Sequence, residues 1–192
     1  MIAIIKYNAG NTQSVENAIA RLGYDCSITD DNAEIVKADK VIFPGVGEAS
    51  SAMHYLKENG LDVLIPSLKQ PVLGICLGMQ LMCRLSEEGN TNALGIFDID
   101  VKKFPPTEKV PHMGWNNLQN IKGDMFRSVK PEDDLYFVHS YYAELSQYTI
   151  AQCDYILPFS AALQKDNFYA TQFHTEKSGS IGEQILKNFL AL

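Results

Sequence analysis

Residues 71–82 read PVLGICLGMQLM. PVLGIC is an apolar run of the kind that fills a central strand, and GMQLMCRL after it carries helical apolar spacing. A cysteine stands at the junction, with Gly74 and Gly78 two positions away on either side. Such a turn forces Cys76 into strained backbone, and the glycines let neighbouring segments approach where a Cβ would collide. In a doubly wound sheet, reactive groups collect at these carboxyl ends of strands. A thiol there meets a helix N-terminus, whose free amides favour the thiolate, and the Leu77 amide points towards an oxyanion formed on a carbonyl. A small buried cysteine in a Gly-rich strand end accounts for the stretch equally well, so the rest of the chain must decide.

Outward from this junction, strands and helices alternate. MIAIIKY reads as a buried strand ending in the turn-forming Asn8–Asn11, and a helix through Val15, Ala18, Ile19 and Leu22 stops at Gly23. YDCSIT is a short strand. KVIFPGVG is a buried strand expected to break at Pro44, and Ala49–Leu56 is helical, ending near Gly60. This order implies a mostly parallel central sheet covered by helices on both faces. From about Leu94 the texture changes. GIFDIDVKKF, KVPHMGWNNL, DLYFVHSYYAEL, YTIAQCDYI and FSAALQKDNFYATQFH are strand-rich, so antiparallel pairing fills one side, before a closing amphipathic helix over 182–192. KKFPPTEKVP suits neither helix nor central strand and reads as a loop. The expectation is one α/β domain spanning residues 1–192.

Composition narrows the function. The chain of 192 residues is 46% hydrophobic and 20% charged, with a formal charge of −7. Nucleic acid and anionic membranes require clustered Lys and Arg, so neither is expected as a partner. Cys26, Cys76, Cys83 and Cys153 form no CxxC pair and no Cys/His cluster of zinc-ligand spacing, so neither a metal nor a disulfide framework is expected. The apolar opening is too short for a signal h-region and no stretch approaches the roughly 20 apolar residues of a membrane helix, which makes the cytoplasm the expected compartment.

A thiolate nucleophile needs a base, and the base an orienter. Of His54, His112, His139 and His174, the last lies in TQFHTE, where extended backbone puts His174 and Glu176 on one face. The carboxylate then holds one imidazole nitrogen while the other faces Cys76. A solvent-facing His and Glu at a strand end fit the pair in isolation. His54 falls on a surface helix without an obvious role. Gly45, Val46 and Gly47 follow the strand KVIF; they form either a plain turn or a backbone segment that offers N–H donors to developing charge, with glycines that let a peptide turn over.

GICLGMQ, PGVG and QFHTE together resemble the class I, triad-type glutamine amidotransferases. YNAGN, KVPHMGWN, YFVHSYY and QFHTEKS narrow the likeness, over essentially the whole chain, to the glutaminase subunits of imidazole glycerol phosphate synthase. The resemblance implies glutamine hydrolysis, with Cys76 attacking the carboxamide, His174 protonating the leaving ammonia and Glu176 orienting His174. It implies glutamine binding near PGVG, through Gln80, and around His139, Ser140 and Tyr141. No cofactor is implied. A (β/α)8-barrel cyclase subunit is implied as partner in a heterodimer, with Asn11, Trp115, Tyr136 and Lys177 on the side facing it. Three positions depart from the family pattern: Thr175 replaces a proline, and Lys6 and Asn8 replace Asp and Gly of the usual opening motif. Threonine suits a strand and keeps the spacing; Asn8 tolerates left-handed backbone. Alternatives are a glutaminase serving an anthranilate, purine or pyridoxal phosphate pathway synthase, or a catalytically silent module of the same fold.

Overall fold

A computed structural model describes residues 1–192. The first half alternates β1 (Ile2–Ile5), α1 (Thr12–Arg21), β2 (Cys26–Thr29), α2 (Asn32–Lys37), β3 (Lys40–Gly45), α3 (Ala49–Glu58), α4 (Leu61–Ser67), β4 (Val72–Cys76) and α5 (Leu77–Met82). Short strands β5 (Leu85–Ser86) and β6 (Thr91–Asn92) lead to β7 (Asp100–Lys103), β8 (His112–Asn117) and β9 (Asp134–His139). Next come β10 (Tyr141–Ala143), β11 (Thr149–Tyr155), β12 (Leu157–Lys165), β13 (Phe168–Thr171) and the closing helix α6 (Gly179–Leu190). No helix is long and apolar enough to cross a membrane.

One sheet runs β2-β1-β3-β4-β13-β12-β10-β7-β5-β6, with β11 added on β12; β8 and β9 form a separate ribbon. The segment β2-β1-β3-β4-β13 is parallel, and β13-β12-β10-β7 is antiparallel. Alternation along β1 sends Ile2 and Ile4 to a core shared with Val15 and Ile19 of α1 and Phe189 of α6. Ala3 and Ile5 face the opposite core, with Met53 and Leu56 of α3 and Met79 of α5. Both faces of the parallel half are therefore covered, which explains strands that read as unbroken apolar runs.

Two expectations are corrected. The third strand does not break at Pro44; it continues to Gly45, with Pro44 opposite Ile75 and Gly45 opposite Cys76. Pairing with β1 ends at Ile42, so the missing proline N–H removes no ladder bond from that side. Asn8 does sit in the turn after β1, yet it is not among the residues with positive φ; its side-chain amide donates to the Ser51 carbonyl (3.1 Å) instead. Helices α2 and α4 have no counterpart in the expected order. α4 begins after a left-handed Gly60 and carries Pro66 inside it, a pattern that reads as a breaker.

Candidate active site

Cys76 is the last residue of β4 and immediately precedes α5, with φ 55° and ψ −108°, a backbone conformation that L residues rarely hold. The flanking glycines are required by distance. A Cβ on Gly78 would lie 1.9 Å from the Phe43 carbonyl oxygen, and one on Gly74 would meet Met82 Sδ at 2.8 Å and the Gly78 carbonyl carbon at 3.0 Å. Helix α5 thus rests directly on β3 and aims the elbow. Gly78→Ala is accordingly expected to destabilise the fold by about 3 kcal/mol or more, because backbone meets backbone and no rotamer relieves it. A urea midpoint equal to that of the parent chain would contradict this.

His174 is buried, and its Nδ1 lies 2.7 Å from Glu176 Oε1. Strand geometry predicts this pairing, and here the route differs. β13 ends at Thr171, opposite Ile75, because its partner β4 turns into α5 one residue later. His174 is extended at φ −86°, ψ 102°, and Thr175–Lys177 form one 3-10 turn that swings the carboxylate back onto the ring. Thr175 therefore sits in this turn rather than in a strand, buried and with its hydroxyl unpartnered. Ser178 Oγ donates to the His174 carbonyl (2.6 Å) and accepts from the Tyr136 N–H (2.9 Å), while the His174 N–H donates to the Tyr136 carbonyl (2.9 Å). Burial opposes a charge on the imidazole, but hydrogen bonds and negative charge from Cys76 and Glu176 outweigh it and hold His174 at about 10. Its Nε2 has no hydrogen-bond partner, and the ring lines the same cavity as Cys76. By contrast, burial pushes the Cys153 thiol up to about 12 and raises that of Cys83 still further, so neither supplies a thiolate.

Cys76, Leu77, Gln80, Val46, Gly47, His139, Ser140, Tyr141 and His174 line one cavity of about 330 Å³, joined by Glu88, Pro111 and Val138. Gly45 lies behind it, packed so closely that a Cβ would fall 2.1 Å from Tyr7 Oη. Leu77 opens α5, so its N–H has no helical acceptor and remains available to a ligand beside Cys76. The Val46 N–H is engaged elsewhere, donating to the Ala9 carbonyl at 2.5 Å, while Gly47 holds φ +107°.

The imidazoles of His112 and His139 are linked, Nδ1 to Nε2, at 2.9 Å. A backbone carbonyl only accepts, so His139 must donate to the Tyr141 oxygen through Nδ1–H (2.7 Å). Its Nε2 then accepts from His112 Nδ1–H, and His112 Nε2 accepts from Asn116 (3.3 Å). Both rings are neutral, and neither nitrogen of His139 is left for a ligand. Burial lowers His112 to about 4 and His139 to about 3. An unfolded chain therefore binds two protons below about pH 6.5 that the native state refuses, and stability falls on acidification through that window. For His174 the sign reverses: its contribution is complete below about 6.5 and is lost as pH rises towards 10. Urea midpoints are expected to peak near pH 6.5 and to fall at both pH 4.5 and pH 9. A higher midpoint at pH 4.5 than at 6.5 would contradict the neutral pair.

A family model described as glutamine amidotransferase class-I matches residues 3–192. The chain belongs to the class-I glutamine amidotransferases. Among curated relatives of this family, a protein of Bacteroides fragilis named imidazole glycerol phosphate synthase subunit HisH is 62% identical, over 100% of this chain and 99% of its own. The Escherichia coli protein of the same name is 47% identical with the same coverage. Among solved structures, one titled crystal structure of glutamine amidotransferase superposes with a TM-score of 0.78 at 16% identity, covering 100% of this chain and 98% of that one. A putative GMP synthase protein from Thermoplasma acidophilum gives 0.75 at 23%, covering 100% and 92%. At those identities the structures attest the amidotransferase fold alone.

In this amidotransferase Glu88, Gln172 and His112 also belong to the site or its support, with no motif of their own to mark them in the sequence. Glu88 follows α5 in SEEGN and reaches the cavity from a 3-10 turn, its Oε2 accepting from the Ala49 N–H (2.8 Å). Burial raises its carboxyl, the Ala49 bond opposes that, and Glu48 adds to it. Gln172, fully buried, accepts from Gln80 Nε2 (2.9 Å) and places its own Nε2 3.7 Å from Cys76 Sγ. The i, i+2 spacing that pairs His174 with Glu176 in the sequence also points back to Gln172.

Of the expected interface set, Trp115 and Tyr136 face each other across the ribbon, ring centroids 5.7 Å apart, with Trp115 58% exposed. Lys177 ends the 3-10 turn that carries Glu176. Asn11 precedes α1, its Oδ1 accepting from Ser14 Oγ (3.0 Å). His54 is exposed on α3 beside Glu58.

Proposed function

We propose that this chain, as a single domain over residues 1–192, hydrolyses glutamine to glutamate and ammonia, with Cys76, His174 and Glu176 as its catalytic residues. It then delivers the ammonia to a (β/α)8-barrel cyclase that makes imidazole glycerol phosphate and an aminoimidazole carboxamide ribotide. Relatives at 62% and 47% identity over full length carry the name of a component of that synthase. What supports the chemistry most is the convergence of a strained thiol and a carboxylate-held imidazole on one cavity.

Glutamine occupies that cavity, whose volume suits an amino acid. Gln80 spends both N–H donors, on Tyr141 O and Gln172 Oε1, which leaves its carbonyl oxygen to accept from the substrate. The half-buried Glu88 carboxylate complements the substrate's ammonium. The Cys76 sulfur attacks the carboxamide carbon, and the resulting oxyanion takes the Leu77 N–H. Imidazolium His174 gives its Nε2 proton to the departing ammonia, leaving a thioester. Water, deprotonated by the now neutral His174, attacks that thioester and releases glutamate. Glu176 holds the ring in the tautomer both steps need.

The partner docks over Trp115, Tyr136, Lys177 and Asn11. Tyr136 bonds the His174 backbone, so a surface seated there lies one residue from the catalytic base. Delivery through a dry passage keeps ammonia unprotonated and nucleophilic. The compartment in this reading is the cytoplasm. The test is glutamate release by the purified chain, alone and mixed with the barrel cyclase; no release in either case would overturn the proposal.

A further inference from the structure

A backbone carbonyl sets the orientation of side chains several residues removed from it. Tyr141 O only accepts, so the Gln80 group at 3.0 Å from it must be the amide nitrogen. The second hydrogen of that nitrogen meets Gln172 at 2.9 Å, which must therefore present its oxygen. Gln172 is left with one choice: its NH2 faces the Cys76 sulfur at 3.7 Å. Neither amide can turn over without setting like groups against each other. On the far side the same carbonyl accepts His139 Nδ1–H, and the chain continues through His112 to Asn116 on β8.

We propose that Gln172 is a further catalytic residue, whose side-chain amide donates to the Cys76 sulfur and stabilises the attacking thiolate, locked in that orientation through Gln80 by the Tyr141 carbonyl. This rests on the reading of Cys76 as nucleophile. A neutral thiol gains little from an N–H donor, whereas a thiolate accepts a charge-assisted bond, so the donor favours ionisation. Gln172 is wholly buried and its oxygen is already engaged, so no water reaches its NH2 group. In chemical terms Gln172 balances His174: one stabilises the sulfur's charge, the other carries the proton.

The test uses the full chain without glutamine or partner, follows alkylation of the Cys76 peptide by iodoacetamide with mass spectrometry, and records the rate against pH. Gln172→Met keeps the volume and removes the donor; the pH of half-maximal rate is expected to rise by about one unit. Gln172→Asn withdraws the amide by one methylene and is expected to give a smaller rise; it serves as the readout if the methionine variant does not fold. A packing role would change the plateau rate by opening the sulfur to reagent, but would leave the midpoint in place. An unmoved or lowered midpoint in the folded variant overturns the inference. Glutaminase activity retained in Cys76→Ala would instead overturn the functional reading without touching the measured midpoint.

Discussion

Replacing Cys76 with alanine is expected to lower glutamate release by about 10⁴-fold or more, with the fold intact. The sulfur is the only group at the elbow able to form the thioester, and the other buried thiols sit where burial keeps them protonated. Stability offers a second readout. Cys76 holds φ 55°, a conformation that costs a non-glycine residue roughly 1–2 kcal/mol. A glycine at this position is free of that penalty, so Cys76→Gly is expected to be inactive and yet to unfold at a urea concentration no lower than that of Cys76→Ala. An active alanine variant would remove the nucleophile. A glycine variant less stable than the alanine one would show that the elbow is not strained.

How much of this is legible in the sequence depends on the range of the interaction. GxCxG is readable because most of its constraint is local: β4 passes into α5 over a few residues and Gly74 packs against Gly78, Met79 and Met82, although Gly78 itself answers to Phe43 on β3. Spacing alone places His174 and Glu176 together, and the pair forms, though through a 3-10 turn that depends on where β4 ends. A pattern read on one segment cannot see its neighbour's last residue. The run of β3 through Pro44 has the same origin, since it turns on the β1 register ending at Ile42. Gln172 is harder still. Its role depends on Cys76, 96 positions earlier, and on an amide orientation set by Tyr141 through Gln80. His112 resists for the same reason: nothing in HMGWNN shows what its ring engages until His139, opposite it in the ribbon, is known.

Adding the barrel cyclase with its nucleotide ligand is expected to raise glutamine turnover by at least tenfold, within a range set by a single hydrogen-bond donor. An oxyanion at Cys76 can take two backbone donors, Leu77 and Val46. Leu77 is free, but the Val46 N–H is directed at Ala9 O, away from the cavity. Removing one oxyanion donor costs about 10²–10³ in rate, so the chain alone starts below its capacity by up to that factor. Turning over the Gly45–Val46 peptide supplies the missing donor. The rotation changes ψ of Gly45 and φ of Val46, and Gly45 brings no Cβ to oppose it; the bond to Ala9 that it gives up is of order 1 kcal/mol. Ala9 lies in the β1–α1 turn that ends at Asn11, so a partner bearing on Asn11 acts two residues from the carbonyl holding Val46. The stimulation should appear mainly in kcat, since the second donor acts on the oxyanion and not on bound glutamine. Turnover unchanged on mixing, or a gain confined to KM, would show that Val46 is not the element the partner moves.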